Sequence, residues 1–95
     1  MNLRERLLED QKGAMRAGDD SRRDALRLLR SAISYAEIDA GHLLNDEEIV
    51  AVIGKQVNQV RESIVEFQKG HRQDLVAKAE QELSVLQGYL PQQLS

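Results

Sequence analysis

The sequence predicts an all-α fold: a single domain of four helices arranged as an antiparallel bundle. Three observations predict it. Gly18, Gly41 and Gly70 each follow an amphipathic segment and precede polar, helix-starting residues, as glycines do where one helix ends before the next begins. Between them, apolar residues recur with the helical period of about 100° per residue. No segment alternates apolar and polar side chains with a period of two, so no strand is expected. A chain of 95 residues suits one compact domain.

The first helix is predicted near 3–17, with Leu3, Leu7 and Ala14 on one face and Leu8 and Met15 beyond Gln11. The second runs near 21–40. Its apolar residues Leu26, Leu28, Leu29, Ala32, Ile33, Tyr35 and Ala36 span an arc of about 180°, wide enough to meet two neighbours. The third, near 46–69, has the clearest start. Asn45 is placed as N-cap and Glu48 as its capping-box partner, and Asp46 and Glu47 add first-turn charge that the helix dipole favours. Ile49, Ile53, Val57, Val60, Ile64 and Phe67 fall in a seam of about 80°, suited to the centre of a bundle core. The fourth helix, near 72–89, lines up Leu75, Val76, Ala79, Leu83, Leu86 and Leu90. Loops of two to five residues make successive helices antiparallel. Pro91 then stops the chain's helical geometry, and Leu94 and Ser95 are spaced like a hydrophobic staple and the N-cap of a further helix.

Composition narrows the function. Without cysteine, disulfides and thiolate metal sites are excluded. The first residues, MNLRERLLEDQK, are too evenly charged for a signal peptide and too acidic for a transit peptide, and no apolar run approaches membrane-spanning length. A cytoplasmic location is therefore expected. The net charge of −3 argues against a dedicated polyanion binder. No glycine-rich phosphate loop, nucleophile elbow or zinc spacing is present, so no catalytic residue, cofactor or metal is expected.

Charged residues offer one candidate site. In SRRDALRLLR, Arg23, Arg27 and Arg30 lie within about 60° on the wheel, opposite the apolar arc, and Ser34 continues their face. Such a stripe suits RNA phosphates through salt-sensitive pairs. It equally suits a solvated face neutralised by Asp20, Asp24 and Glu37. His42 and His71 follow helix-ending glycines, where a cationic imidazole complements the dipole. Acid–base chemistry at Glu80 and Glu82, or at Asp46 and Glu48, would need a desolvated cleft. Gly13 and Gly54 fall inside helices at a cost, Gly54 leaving room for another chain. Ile38 and Val65 are apolar residues on polar faces, a contact patch only if the fold brings them together.

The ordered set of short segments resembles the YqeY-like proteins of the GatB/YqeY family. The resemblance covers essentially the whole chain. It is carried by Leu26-Arg27 with Leu29 and Ala32-Ile33, by Asp46-Glu47-Glu48, by Arg61-Glu62-Ser63-Ile64, by Gly70 with Arg72 and Asp74-Leu75, by Glu80 with Glu82-Leu83, and by Tyr89-Leu90-Pro91 with Gln93-Leu94. It implies that residues 1–95 are the N-terminal helical domain, with a smaller helical domain expected after the YLP segment and absent here. It also implies a link to glutamine-dependent amidation of mischarged tRNA. In the glutamyl/aspartyl-tRNA amidotransferase, a tail resembling the absent domain helps hold the tRNA, while catalysis belongs elsewhere. The expected role is thus a non-catalytic accessory module that helps bind tRNA or an amidotransferase partner. The alternative is a protein–protein interaction module without an RNA role.

Overall fold

The computed structural model describes residues 1–91. It contains four helices: α1 (Leu3–Ala17), α2 (Asp20–Ala40), α3 (Asp46–Lys69) and α4 (Gln73–Gln87). The positions expected of Leu94 and Ser95 lie outside the described residues. Among the described residues there is no strand.

Local chemistry sets each boundary. Asn2 caps α1 by accepting from the Glu5 amide at 2.8 Å, and Asp19 caps α2 by accepting from the Arg22 amide at 3.2 Å. The predicted capping box is present: Asn45 accepts from the Glu48 amide at 2.9 Å, and Glu48 accepts from the Asn45 amide at 3.0 Å. Gly18 (φ 70°) and Gly41 (φ 77°) end α1 and α2 in the left-handed conformation, which costs a glycine little.

The end of α3 differs. Gly70 has φ −83°, and the left-handed residue is His71 at φ 56°. The Arg72 amide donates to the Phe67 carbonyl at 2.9 Å and the His71 amide to Gln68 at 3.1 Å. These two bonds place the left-handed position one residue beyond the glycine. His71 therefore closes α3 through its backbone. α4 begins without a side-chain cap and stops at Gln87, two residues short of expectation. There, single-turn bonds take over, from the Tyr89 amide to Leu86 and from the Leu90 amide to Gln87.

The seam of α3 forms the centre of the core as predicted. Ile49, Ile53, Val57 and Val60 are buried, and Ile64 and Phe67 pack at its edge. Leu7 of α1, Leu26, Leu29 and Ile33 of α2, and Leu86 of α4 join it. Each fully buried aliphatic side chain is worth about 1.5–3 kcal/mol relative to exposure. α2 touches all three other helices, while α3 packs chiefly on α4 and α1 chiefly on α2. Its apolar arc is nonetheless wider than its neighbours cover. Leu28 stays 56% exposed and Tyr35 75% exposed, each at the lip of a groove, Leu28 beside Lys78 and Glu82 of α4 and Tyr35 beside Val52 and Gln56 of α3.

Candidate functional site

The outer face of α2 carries the three arginines. Arg23 reaches Asp20 at 3.1 Å and Asp24 at 3.0 Å. Arg27 reaches the same Asp24 oxygen at 3.3 Å. These are neighbours within one turn, so the helix itself brings them together. One carboxylate thus serves two guanidiniums. Arg30 turns the other way and donates to Gln11 of α1 at 2.7 Å. Among the described residues no carboxylate lies within 4.0 Å of Arg30. The face therefore holds three cations against two carboxylates, a local surplus on a chain of net charge −3.

Arg27 and Arg30 line a shallow, open groove together with Ser31, Ser34, Tyr35 and Ile38. Arg23 does not line it. Tyr35 also faces a second groove toward α3 that holds Ala32, Val52 and Lys55. Tyr35 carried no functional expectation from the sequence, because its wheel position assigned it to the core arc. Ile38 sits beside it, 78% exposed. Val65 lines neither groove.

Two polar nodes hold α2 in place. Near its C-terminal end, Glu37 accepts from the Arg4 guanidinium and from the Leu44 amide (2.9 Å), and Arg4 also donates to the Leu44 carbonyl at 3.2 Å. Arg4 first, then the Leu44 amide, hold the Glu37 carboxyl below the usual range. Near the N-terminal end, Tyr89 donates its hydroxyl to Asp10 at 2.6 Å and accepts from Arg22 at 3.3 Å. Arg6 lies 5.0 Å over its ring, a cation–π contact. Burial, then the Asp10 carboxylate, push the phenol up to about 12.

Of the remaining candidates, Asp46, Glu48 and His42 make structural contacts. Asp46 accepts from the Leu3 amide at 3.2 Å, and Glu48 is spent on the capping box. Burial pushes Glu82 upward, opposed by Lys78, while Glu80 is exposed and two residues away on a helix, so the pair does not share a face. His42 Nδ1 lies 2.8 Å from the Leu43 carbonyl and Nε2 4.0 Å from Glu48, a contact of the α2–α3 loop. A Cβ added at Gly13 or Gly54 would meet nothing within 4 Å. Among the described residues no group of three His, Cys, Asp or Glu could hold a metal, and no helix is long and apolar enough to cross a membrane.

Residues 4–95 match the family described as YqeY, Yqey-like protein. Curated relatives carry the name altered inheritance of mitochondria protein 41, mitochondrial. The protein of Vanderwaltozyma polyspora is 40% identical over 85 residues, 88% of this chain and 46% of that protein. That of Lachancea thermotolerans is 40% identical over 87 residues, covering 90% and 46%. One from Saccharomyces cerevisiae is 34% identical over 87 residues, covering 90% and 47%. The chain thus spans about half the length of the curated relatives it matches. The expected cytoplasmic location is corrected by these names, since the relatives are mitochondrial proteins. The N-terminal residues on which that expectation rested form α1, with Leu7 in the core. Their charge pattern is that of the exposed side of a packed helix.

Proposed function

From the premise that this chain belongs to the YqeY-like protein family, we propose that it is a non-catalytic helical accessory module that helps position tRNA for glutamine-dependent amidation. The single observation that carries this reading is the cation surplus of the three arginines on α2, of which Arg30, held by Gln11, has no carboxylate within 4.0 Å among the described residues. The link to tRNA amidation comes from the family resemblance, and the arginines supply a physical contact for it. Partial neutralisation by Asp20 and Asp24 makes the contact weak, with an affinity expected near the non-specific value of about 10⁻⁴ M at physiological salt. Three phosphate contacts give a log–log salt slope of about −2 to −3.

The test is RNA binding across a salt series, comparing this chain with a triple variant, Arg23→Glu, Arg27→Glu and Arg30→Glu. Lower affinity and a flatter slope for the variant are expected. Equal affinities and slopes would show a solvated surface. Docking of a protein partner, for which Leu28, Tyr35 and Ile38 supply exposed apolar area on α2, would then be the better reading.

A further inference from the structure

We propose that Tyr35 is a stacking platform for one unpaired RNA base, with Arg30 and Arg27 taking the adjoining phosphates. This rests on the RNA reading above and narrows it to single-stranded or looped nucleotides.

The chain has two tyrosines and no tryptophan. Tyr89 is buried and its hydroxyl is bonded to Asp10 and Arg22. Tyr35 is 75% exposed in an open groove whose other lining residues are Arg27, Arg30, Ser31, Ser34 and Ile38. An aromatic ring beside arginines and serines matches the three parts of a nucleotide: base, phosphate and sugar hydroxyl. At a rise of about 1.5 Å per residue, Arg30 lies roughly 7.5 Å and Arg27 roughly 12 Å along the axis from Tyr35, within reach of the phosphates of the next one or two nucleotides. Asp39 stands one turn beyond Tyr35 on the same face, on the side away from Arg30 and Arg27 along the axis, and lines the groove toward α3 with it. It repels phosphate there, so the strand runs from Tyr35 toward Arg27. A paired duplex buries its base faces in the stack and offers Tyr35 nothing to cover. A protein partner would meet only Tyr35 and Ile38 as apolar anchors in this groove, with Arg27 and Arg30 on one side of them.

The test is an NMR titration of this chain with an unstructured hexanucleotide RNA and, separately, with a fully paired RNA duplex. With the hexanucleotide, the Tyr35 ring protons are expected to shift upfield while those of Tyr89 stay fixed. Tyr35→Ala should weaken hexanucleotide binding by about fivefold or more, the low end of what one stacked base supplies. Tyr35→Phe should bind as the parent does, because stacking needs the ring and not the hydroxyl. Since Tyr35 is exposed, both variants should melt at the parent temperature. Unchanged affinity for Tyr35→Ala, or equal Tyr35 shifts with the duplex, overturns the proposal while leaving RNA binding by the arginines intact. Failure of the parent to bind either RNA overturns both readings. Concentration-dependent sedimentation of the parent that Tyr35→Ala abolishes would assign the face to a second copy of the chain, and also overturns it.

Discussion

Tyr89→Phe isolates one hydroxyl at the joint between the chain's last described turn and the rest of the bundle. The ring stays, so the burial of Tyr89 and the Arg6 contact persist. What is lost is the 2.6 Å bond to the Asp10 carboxylate and the 3.3 Å bond from Arg22. A bond to a charged partner is worth about 1.5–3 kcal/mol. Asp10 is 32% exposed, so water and Arg6, at 3.8 Å, take up part of its bonding. The expected loss is therefore about 1–1.5 kcal/mol, or roughly 5–10 °C in Tm for a domain of this size. The pH dependence sharpens the test. Folding raises the phenol to about 12, so its contribution is fully present below the ordinary tyrosine value of about 10. It is lost as the pH rises through about 12, because the ionised phenolate faces Asp10. Thermal melts by circular dichroism from pH 7 to 12 should show the parent converging on Tyr89→Phe at the alkaline end. Equal Tm at pH 7, or a gap that does not close in alkali, would refute the assignment of this hydroxyl as a stabilising donor.

Other outcomes follow from the same geometry. Val60→Asp places an unpaired charge in the core at a position 7% exposed and should cost several kcal/mol; a parent-like melt would show that the α3 seam is not the centre of the core. His71→Gly relieves a left-handed residue at φ 56° and should stabilise by about 1 kcal/mol, measured as a raised urea midpoint with unchanged slope. Purified protein should show no glutaminase or ATPase turnover, and activity that co-elutes with the protein peak would overturn the non-catalytic reading.

Helix number and most boundaries were legible because their causes are local. An Asn45–Glu48 capping box and a left-handed Gly18 or Gly41 depend on residues within one turn. The neutralisation of Arg23 and Arg27 by Asp20 and Asp24 was open to view for the same reason. What was hidden depends on distant partners. Arg4 meets Glu37 across 33 residues and Tyr89 meets Asp10 across 79, and no periodicity announces either. The exposure of Leu28 and Tyr35 was misassigned because a helical wheel gives the width of an apolar arc but not how much of it the neighbours cover. His71 was read for its imidazole, whereas its backbone closes α3. Glycine next to a left-handed position is a good marker of the turn and a poor marker of the residue that makes it.

These distant contacts bear on how the arginine face could work. α2 is fixed near one end by Arg22, Asp10 and Tyr89 and near the other by Glu37, Arg4 and Leu44. Between these nodes, Leu26, Leu29 and Ile33 anchor it in the core. Arg30 is itself held by Gln11 of α1. A weak site gains most from such fixing, because rotamer and backbone freedom lost on binding costs about 0.5–1.5 kcal/mol for each immobilised long side chain. Arg23 and Arg27 are pre-ordered by Asp24, which lowers that cost but screens their charge. Arg30 is ordered by a neutral amide, which lowers the cost without screening it. Of the three, Arg30 is therefore the cation whose loss should weaken RNA binding most, and single Arg→Gln variants compared at one salt concentration measure that order directly.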